Sequence, residues 1–168
     1  ALEVTTEPLE RAELLYRAGV AAADAGVTDV AEALLREALA EALVGGDRSA
    51  AARTVERIAS VLLGAYRTSE AVELLTQAEH DYADLGDDPG LAGILGQQAR
   101  ARFFEDDFAA ALEVAEKALT LAERIDLVSV VADAMVTKGS VLSALGRGYE
   151  GVGVLRAGLL LAEQHGLV

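Results

Sequence analysis

The chain contains no cysteine, which excludes disulfides and thiolate metal sites but does not by itself assign a compartment. It has no tryptophan and only 4% aromatic residues, so a core has to be assembled from Ala, Leu and Val. Proline occurs twice, at Pro8 and Pro89, each where a helix can begin. No stretch approaches the roughly 20 apolar residues needed to cross a bilayer. The N-terminal Ala-Leu-Glu-Val-Thr-Thr-Glu-Pro lacks the basic and apolar regions of a signal peptide, so a cytoplasmic location is expected. Positive charge is also scarce, with 14 Lys and Arg against 28 Asp and Glu and a formal net charge of −14. That balance disfavours direct nucleic-acid binding, which needs a basic footprint to displace counterions, and disfavours anionic membranes for the same reason.

Catalytic and metal-binding patterns are sparse. There is no HExxH, GxSxG or P-loop. His80 and His165 lie far apart, without a second histidine at metal-ligand spacing. Glu79, His80 and Asp81 are adjacent, and on a helix adjacent residues face apart. A literal GxGxxG at Gly146–Gly151 follows a helical pattern, whereas a dinucleotide site requires a preceding strand. No cofactor, no metal and no enzymatic activity are expected.

What the chain does have is a period. Ala38, Ala78, Ala118 and Gly158 share one register of 40 residues, and so do Gly19, Ala59, Ala99 and Gly139. Ala31, Ala71, Ala111 and Gly151 form a third column, and Leu35, Leu75, Ala115 and Leu155 a fourth. Such self-similarity marks a stacked array, because one supersecondary unit cannot bury its apolar face alone. Gly or Ala is required where two helix backbones cross closely. Leu15, Val55, Leu95 and Met135 supply bulk beside those crossings.

Each unit reads as two antiparallel helices joined by a turn of a few residues. First helices are expected at roughly 8–25, 48–64, 89–104 and 128–145, and second helices at roughly 28–44, 68–85, 107–124 and 149–165. The β-rich run Leu127–Val131 is outvoted by its helical sister segments. Gly46-Asp47 and Gly86-Asp87 lie one period apart, where Gly ends one helix and Asp caps the next. Repeats therefore run at about 8–47, 48–87, 88–127 and 128–168, in a single domain covering 1–168.

These columns resemble the tetratricopeptide repeat (TPR). The sets Ala59–Ala71–Leu75–Ala78 and Gly139–Gly151–Leu155–Gly158 have its spacing, and the resemblance covers essentially the whole chain. It implies an all-α, right-handed superhelical α-solenoid of four TPR-like hairpins. The usual Trp of the first helix is replaced by Leu15, Val55, Leu95 and Met135, and the usual Tyr by Ala22, Leu62, Arg102 and Leu142. The period exceeds the standard 34 residues by six, equivalent to about 9 Å of helix. Longer variants of this kind are similar to repeats in bacterial signalling ATPases, multidomain transcription regulators and cyclases, and to those of some eukaryotic scaffolds. The bias to Arg over Lys, only Lys117 and Lys138 being lysines, also suggests a GC-rich bacterial coding sequence.

The resemblance implies that the first helices line a concave groove and the second helices form the back. Basic groups slightly outnumber acidic ones on the first helices, while most of the acidity falls elsewhere. The peptide-binding positions of the family correspond here to Arg53, Arg57, Gln97, Arg100 and Phe103. Arginine forks suit carboxylates and phosphates, so an acidic peptide or an anionic small ligand is the expected occupant. Gly93 and Gly96 are expected to leave room for it. The competing expectation is that these arginines pair with neighbouring acids such as Glu56 on an ordinary solvated face. Phe103, Phe104 and Phe108 form an aromatic cluster, expected to fill the core around the third turn. The final helix is apolar around much of its circumference, at Val152, Val154, Leu155, Leu159, Leu160 and Leu161. A terminal repeat needs a polar outer face, so either another repeat covers this helix or the chain self-associates through residues 149–168.

The sequence thus predicts a non-catalytic TPR-like protein–protein interaction module, the regulatory or scaffolding part of a larger bacterial signalling protein. A domain that senses a small ligand or signalling peptide in the groove is the alternative.

Overall fold

The computed structural model describes residues 7–167, so Ala1–Thr6 of the N-terminal reading and Val168 lie outside the described residues. Eight α-helices follow one another, with no strand among the described residues: α1 (Pro8–Asp24), α2 (Thr28–Val44), α3 (Arg48–Gly64), α4 (Thr68–Tyr82), α5 (Pro89–Phe104), α6 (Phe108–Arg124), α7 (Val128–Ala144) and α8 (Gly148–Gln164). They fall into two compact units, Ala1–Leu85 and Gly86–Val168.

The helix ends have one local cause. In seven helices the chain leaves through a left-handed residue whose successor bonds back five residues, as in Val27 N–H to the Ala22 carbonyl at 2.9 Å and Arg147 N–H to the Leu142 carbonyl at 2.9 Å. In the six of these that precede another helix, that successor is also the N-cap of the next one, so the connection is three residues long. Left-handed residues recur every 20 positions, at Gly26, Gly46, Tyr66, Gly86, Asp106, Asp126, Gly146 and Gly166. The repeat of 40 is therefore two half-repeats, each a helix of about 17 residues and its turn. The exception follows α4, where the expected last turn tightens into a 3-10 turn, Ala83–Leu85.

Three aspartates cap helices. The Asp47 carboxylate accepts from Ala50 N–H at 2.9 Å, Asp107 from Ala110 N–H at 3.3 Å, and Asp88 from Gly90 and Leu91 N–H at 2.7 and 3.3 Å. The cap of α5 is thus Asp88 and not Asp87, because Pro89 takes the first helical position. Asp87 is instead ion-paired with Arg124.

In the first unit α1 packs on α2, α2 on α3 and α3 on α4. Its fully buried side chains include Leu15, Leu35, Ile58, Leu62 and Leu75. In the second unit α5 packs on α6 and α7, α6 on α7, and α7 on α8, around Ile94, Val141 and Leu142. The small-residue columns are the crossing points. Ala31, Ala59, Ala71, Ala99 and Ala111 have no solvent exposure. A Cβ on Gly139 would lie 2.8 Å from the Gly151 carbonyl oxygen, and one on Gly151 would lie 2.6 Å from the Gly139 carbonyl oxygen. The glycine motif Gly146–Gly151 therefore belongs to a helix turn and a helix crossing, and Ser143 donates to the same Gly139 carbonyl at 2.9 Å.

Candidate interaction surface on the first helices

Arg53 and Arg57 stand one turn apart on α3, within the first unit. The Arg53 guanidinium lies 4.5 Å from the centre of the Tyr16 ring on α1 and donates to Glu13 at 2.8 Å. Burial, reinforced by Glu56, holds the Tyr16 phenol above its ordinary pKa, against the opposing pull of Arg53 and Arg57. Arg57 donates to Asp24 at 2.6 Å through one terminal nitrogen. Its Nε is buried and has no hydrogen-bond partner among the described residues. The side chain is 27% exposed and lines an open cavity of about 310 Å³, with Ala23, Gly26, Thr28, Ser60, Val61 and Gly64.

The arginines do pair with acids, but the acids are Glu13 and Asp24 on the preceding first helix. Glu13 and Arg53 are one full period apart, so equivalent positions of successive first helices are neighbours here. That separation of 40 was a legible signal for the pair. Tyr16, the aromatic floor under Arg53, carries no motif and was not singled out.

Gln97, Arg100 and Phe103 lie on α5 in the second unit. Gln97 is buried, with only 9% exposure, and so is a core residue in this unit more than an open groove residue. The Arg100 guanidinium sits 5.8 Å from the centre of the Phe104 ring. Burial raises the pKa of the Asp133 carboxyl on α7, and Arg100 opposes the rise. Phe103 contacts Phe104 and Phe108 with ring centroids 5.8 Å apart in each case. The cluster is only partly core: Phe103 and Phe108 are half-buried and Phe104 is 48% exposed. Of the room expected at Gly93 and Gly96, that at Gly93 is closed within the unit, and that at Gly96 is not. Gly93 is buried, and a Cβ on Gly96 would meet Val130 of α7 at 3.6 Å. Arg102, in the column of the family's usual Tyr, is half-buried and reaches Glu105 at 3.5 Å.

The second helices carry a denser charge network. Glu32 of α2 binds both Arg36 and Arg67, and Arg67 also binds Glu70 at 2.6 Å. Burial raises the pKa of the Glu32 carboxyl, but hydrogen bonds from Arg67 and Arg36 outweigh it, and the net pKa is lowered. Among the described residues no group of three or more His, Cys, Asp or Glu side chains could hold a metal ion. No helix among them is long and apolar enough to cross a membrane.

No protein-family model matches the sequence, and no curated protein matches it. The fold, however, matches solved structures along nearly its whole length. BtubC (BKLC) from P. vanneervenii is 13% identical with a TM-score of 0.74, over 97% of this chain and 67% of that one. Aspartyl phosphate phosphatase F from Bacillus subtilis is 12% identical with a TM-score of 0.77; the match covers 96% of this chain but only 43% of the phosphatase. A Podosopora anserina putative kinesin light chain with nearly identical TPR-like repeats is 17% identical with a TM-score of 0.64, over 96% of this chain and 80% of that one. With its buried small-residue columns and half-repeats of 20, this chain has the TPR-like helical-repeat fold.

Proposed function

We propose that the chain is a non-catalytic protein–protein interaction module, one repeat domain over 1–168 in four repeats, serving as the regulatory or scaffolding part of a larger bacterial, cytoplasmic signalling protein. The observation that carries this reading is the face of α3, where Arg53 lies over the Tyr16 ring and Arg57 stands one turn further along, both still partly open to solvent. Two guanidinium forks beside an aromatic ring suit an extended acidic peptide, which exchanges carboxylates with Glu13 and Asp24 and stacks on the ring. On the second unit, Arg100 and Phe103 of α5 form a peptide surface of their own in this reading, with the buried Gln97 beneath them in the core. Neither nucleic acid nor membrane is a partner in it.

The test is binding of a labelled Glu- and Asp-rich peptide by the wild type and by an Arg53→Glu, Arg57→Glu, Arg100→Glu variant. Affinity is expected to fall by about tenfold or more, since each change replaces attraction by like-charge contact. Unchanged affinity in a variant with wild-type helix content refutes the surface.

A second reading has its own observation. The cavity at Ala23, Gly26, Thr28 and Ser60 adjoins the Arg57 side chain, whose buried Nε still has donor capacity. A small carboxylate seated there would make the chain a ligand sensor. A melting rise with small dicarboxylates that is lost in Arg57→Gln supports it, and an unchanged melting point across such compounds rejects it. The apolar α8 supports self-association through residues 149–168.

A further inference from the structure

Helix α8 buries Gly151, Gly158 and Ala162 against its own hairpin. At about 100° per residue, Tyr149, Val152, Gly153, Arg156, Leu160 and Glu163 fall on the opposite side. All six are exposed, Val152 by 44% and Leu160 by 54%, and a Cβ on Gly153 would meet nothing within 4 Å. One period earlier, α6 carries Ala109, Leu112, Glu113, Glu116, Thr120 and Glu123 at these positions. Three acids on that stripe would repel another copy of itself. On α8 the stripe has one Arg and one Glu, and is neutral in a chain of net charge −14. Neither the Arg156 nor the Glu163 side chain makes an ion pair or hydrogen bond within the described residues.

The placement of those two charges is self-complementary. Arg156 lies one turn before Leu160 and Glu163 one turn after it. If a second α8 runs antiparallel about a two-fold axis midway between the levels of Leu159 and Leu160, each Arg156 faces Glu163 of the other copy. Leu160 then lies beside its own mate, and Gly153 permits close approach. An isologous interface requires this reciprocity, residue i meeting j while j meets i.

We propose that the outer face of α8 binds a second copy of this chain, antiparallel, with two reciprocal Arg156–Glu163 ion pairs around a Leu160 contact. This rests on the self-association reading above and gives it a geometry. One helix pair buries less than the roughly 800 Å² per partner of standard stable complexes, so the dimer is weak, with a dissociation constant around micromolar or above. Two copies of charge −14 also repel, so added salt, which screens that repulsion, is expected to tighten the dimer.

The test is sedimentation equilibrium of the full chain up to near-millimolar concentration, at low and at high salt. Arg156→Glu and Glu163→Arg are each expected to weaken the dimer by about tenfold, because each turns two attractive pairs into two repulsive ones. The double reversal is expected to restore the wild-type constant, and Leu160→Lys to leave a monomer of unchanged helix content. A wild type that stays monomeric throughout overturns the proposal, as does a double reversal no better than the single ones. These variants leave α3 untouched, so peptide binding is read independently of the dimer.

Discussion

Alanine at Gly151 and alanine at Gly153 are chemically the same change, two residues apart on α8, and they are expected to have opposite signs. A Cβ at Gly151 would lie 2.6 Å from the Gly139 carbonyl oxygen and 2.2 Å from Ser143 Oγ. The hydroxyl can rotate away, but the carbonyl is backbone of the packed helix α7. Restoring an ordinary contact requires the two helices to part by most of an ångström, an overpacking cost of about 1–3 kcal/mol. Alanine recovers about 0.8–1 kcal/mol over glycine in a helix, which leaves a net loss of about 1–2 kcal/mol for the upper part of that range. At Gly153 a Cβ meets nothing within 4 Å, so only the gain remains, about 1 kcal/mol. For a chain of 168 residues each kcal/mol moves the melting midpoint by about 2–4 °C, readable by circular dichroism in the helical band. The measurement is made dilute, where association does not contribute. A Gly151→Ala protein that melts as high as Gly153→Ala would falsify the close backbone crossing in the fourth hairpin.

Two further predictions concern the first unit. Tyr66 holds a left-handed φ of 59° while 93% exposed, so its side chain gains no packing for the backbone strain. Tyr66→Gly is expected to stabilise the protein by about 0.5–1 kcal/mol, after allowing for the entropy glycine adds to the unfolded chain, and a lower melting point would contradict this. The Glu32 carboxyl has a pKa below its ordinary 4.5, so its contribution is present above that value and is lost as pH falls through the folded-state pKa. The wild type is therefore expected to melt above Glu32→Gln at neutral pH. The gap should close as pH falls below the ordinary carboxylate range, and a gap independent of pH would show that the Arg36 and Arg67 bonds are not its source.

Much of the fold was readable because packing imposes residue size directly. Where two backbones cross, only Gly or Ala fits, so the columns at Ala59, Ala71 and Ala78 announce the crossings and their spacing announces the period. The half-period was hidden for the opposite reason. A left-handed turn demands a conformation and not a size, and Gly46, Tyr66 and Asp106 all supply it with different side chains. The surface was half-legible. Arginine type pointed to anion recognition, but the reach of Arg57 to Asp24 depends on how far adjacent helices are offset, which no spacing within one helix specifies. Gly93 differs from the expectation because it is buried in its own unit, whereas Gly96 is only part-buried, with Val130 of α7 at ordinary contact distance from where a Cβ would stand.

A repeat array makes departures from its own pattern informative, since each position comes with internal controls. The stripe that is acidic on α6 at Glu113, Glu116 and Glu123 is apolar and neutral on α8, with no contact inside the hairpin to require it. Likewise Arg53 stands where the register elsewhere holds Glu13, Gly93 and Asp133, so the ion pair it makes across one period belongs to the first unit alone. Hairpin packing explains the residues that all four repeats share. The residues they do not share are free of that constraint, and both proposed surfaces draw on them: α3 for an acidic chain, and α8 for another copy of this one.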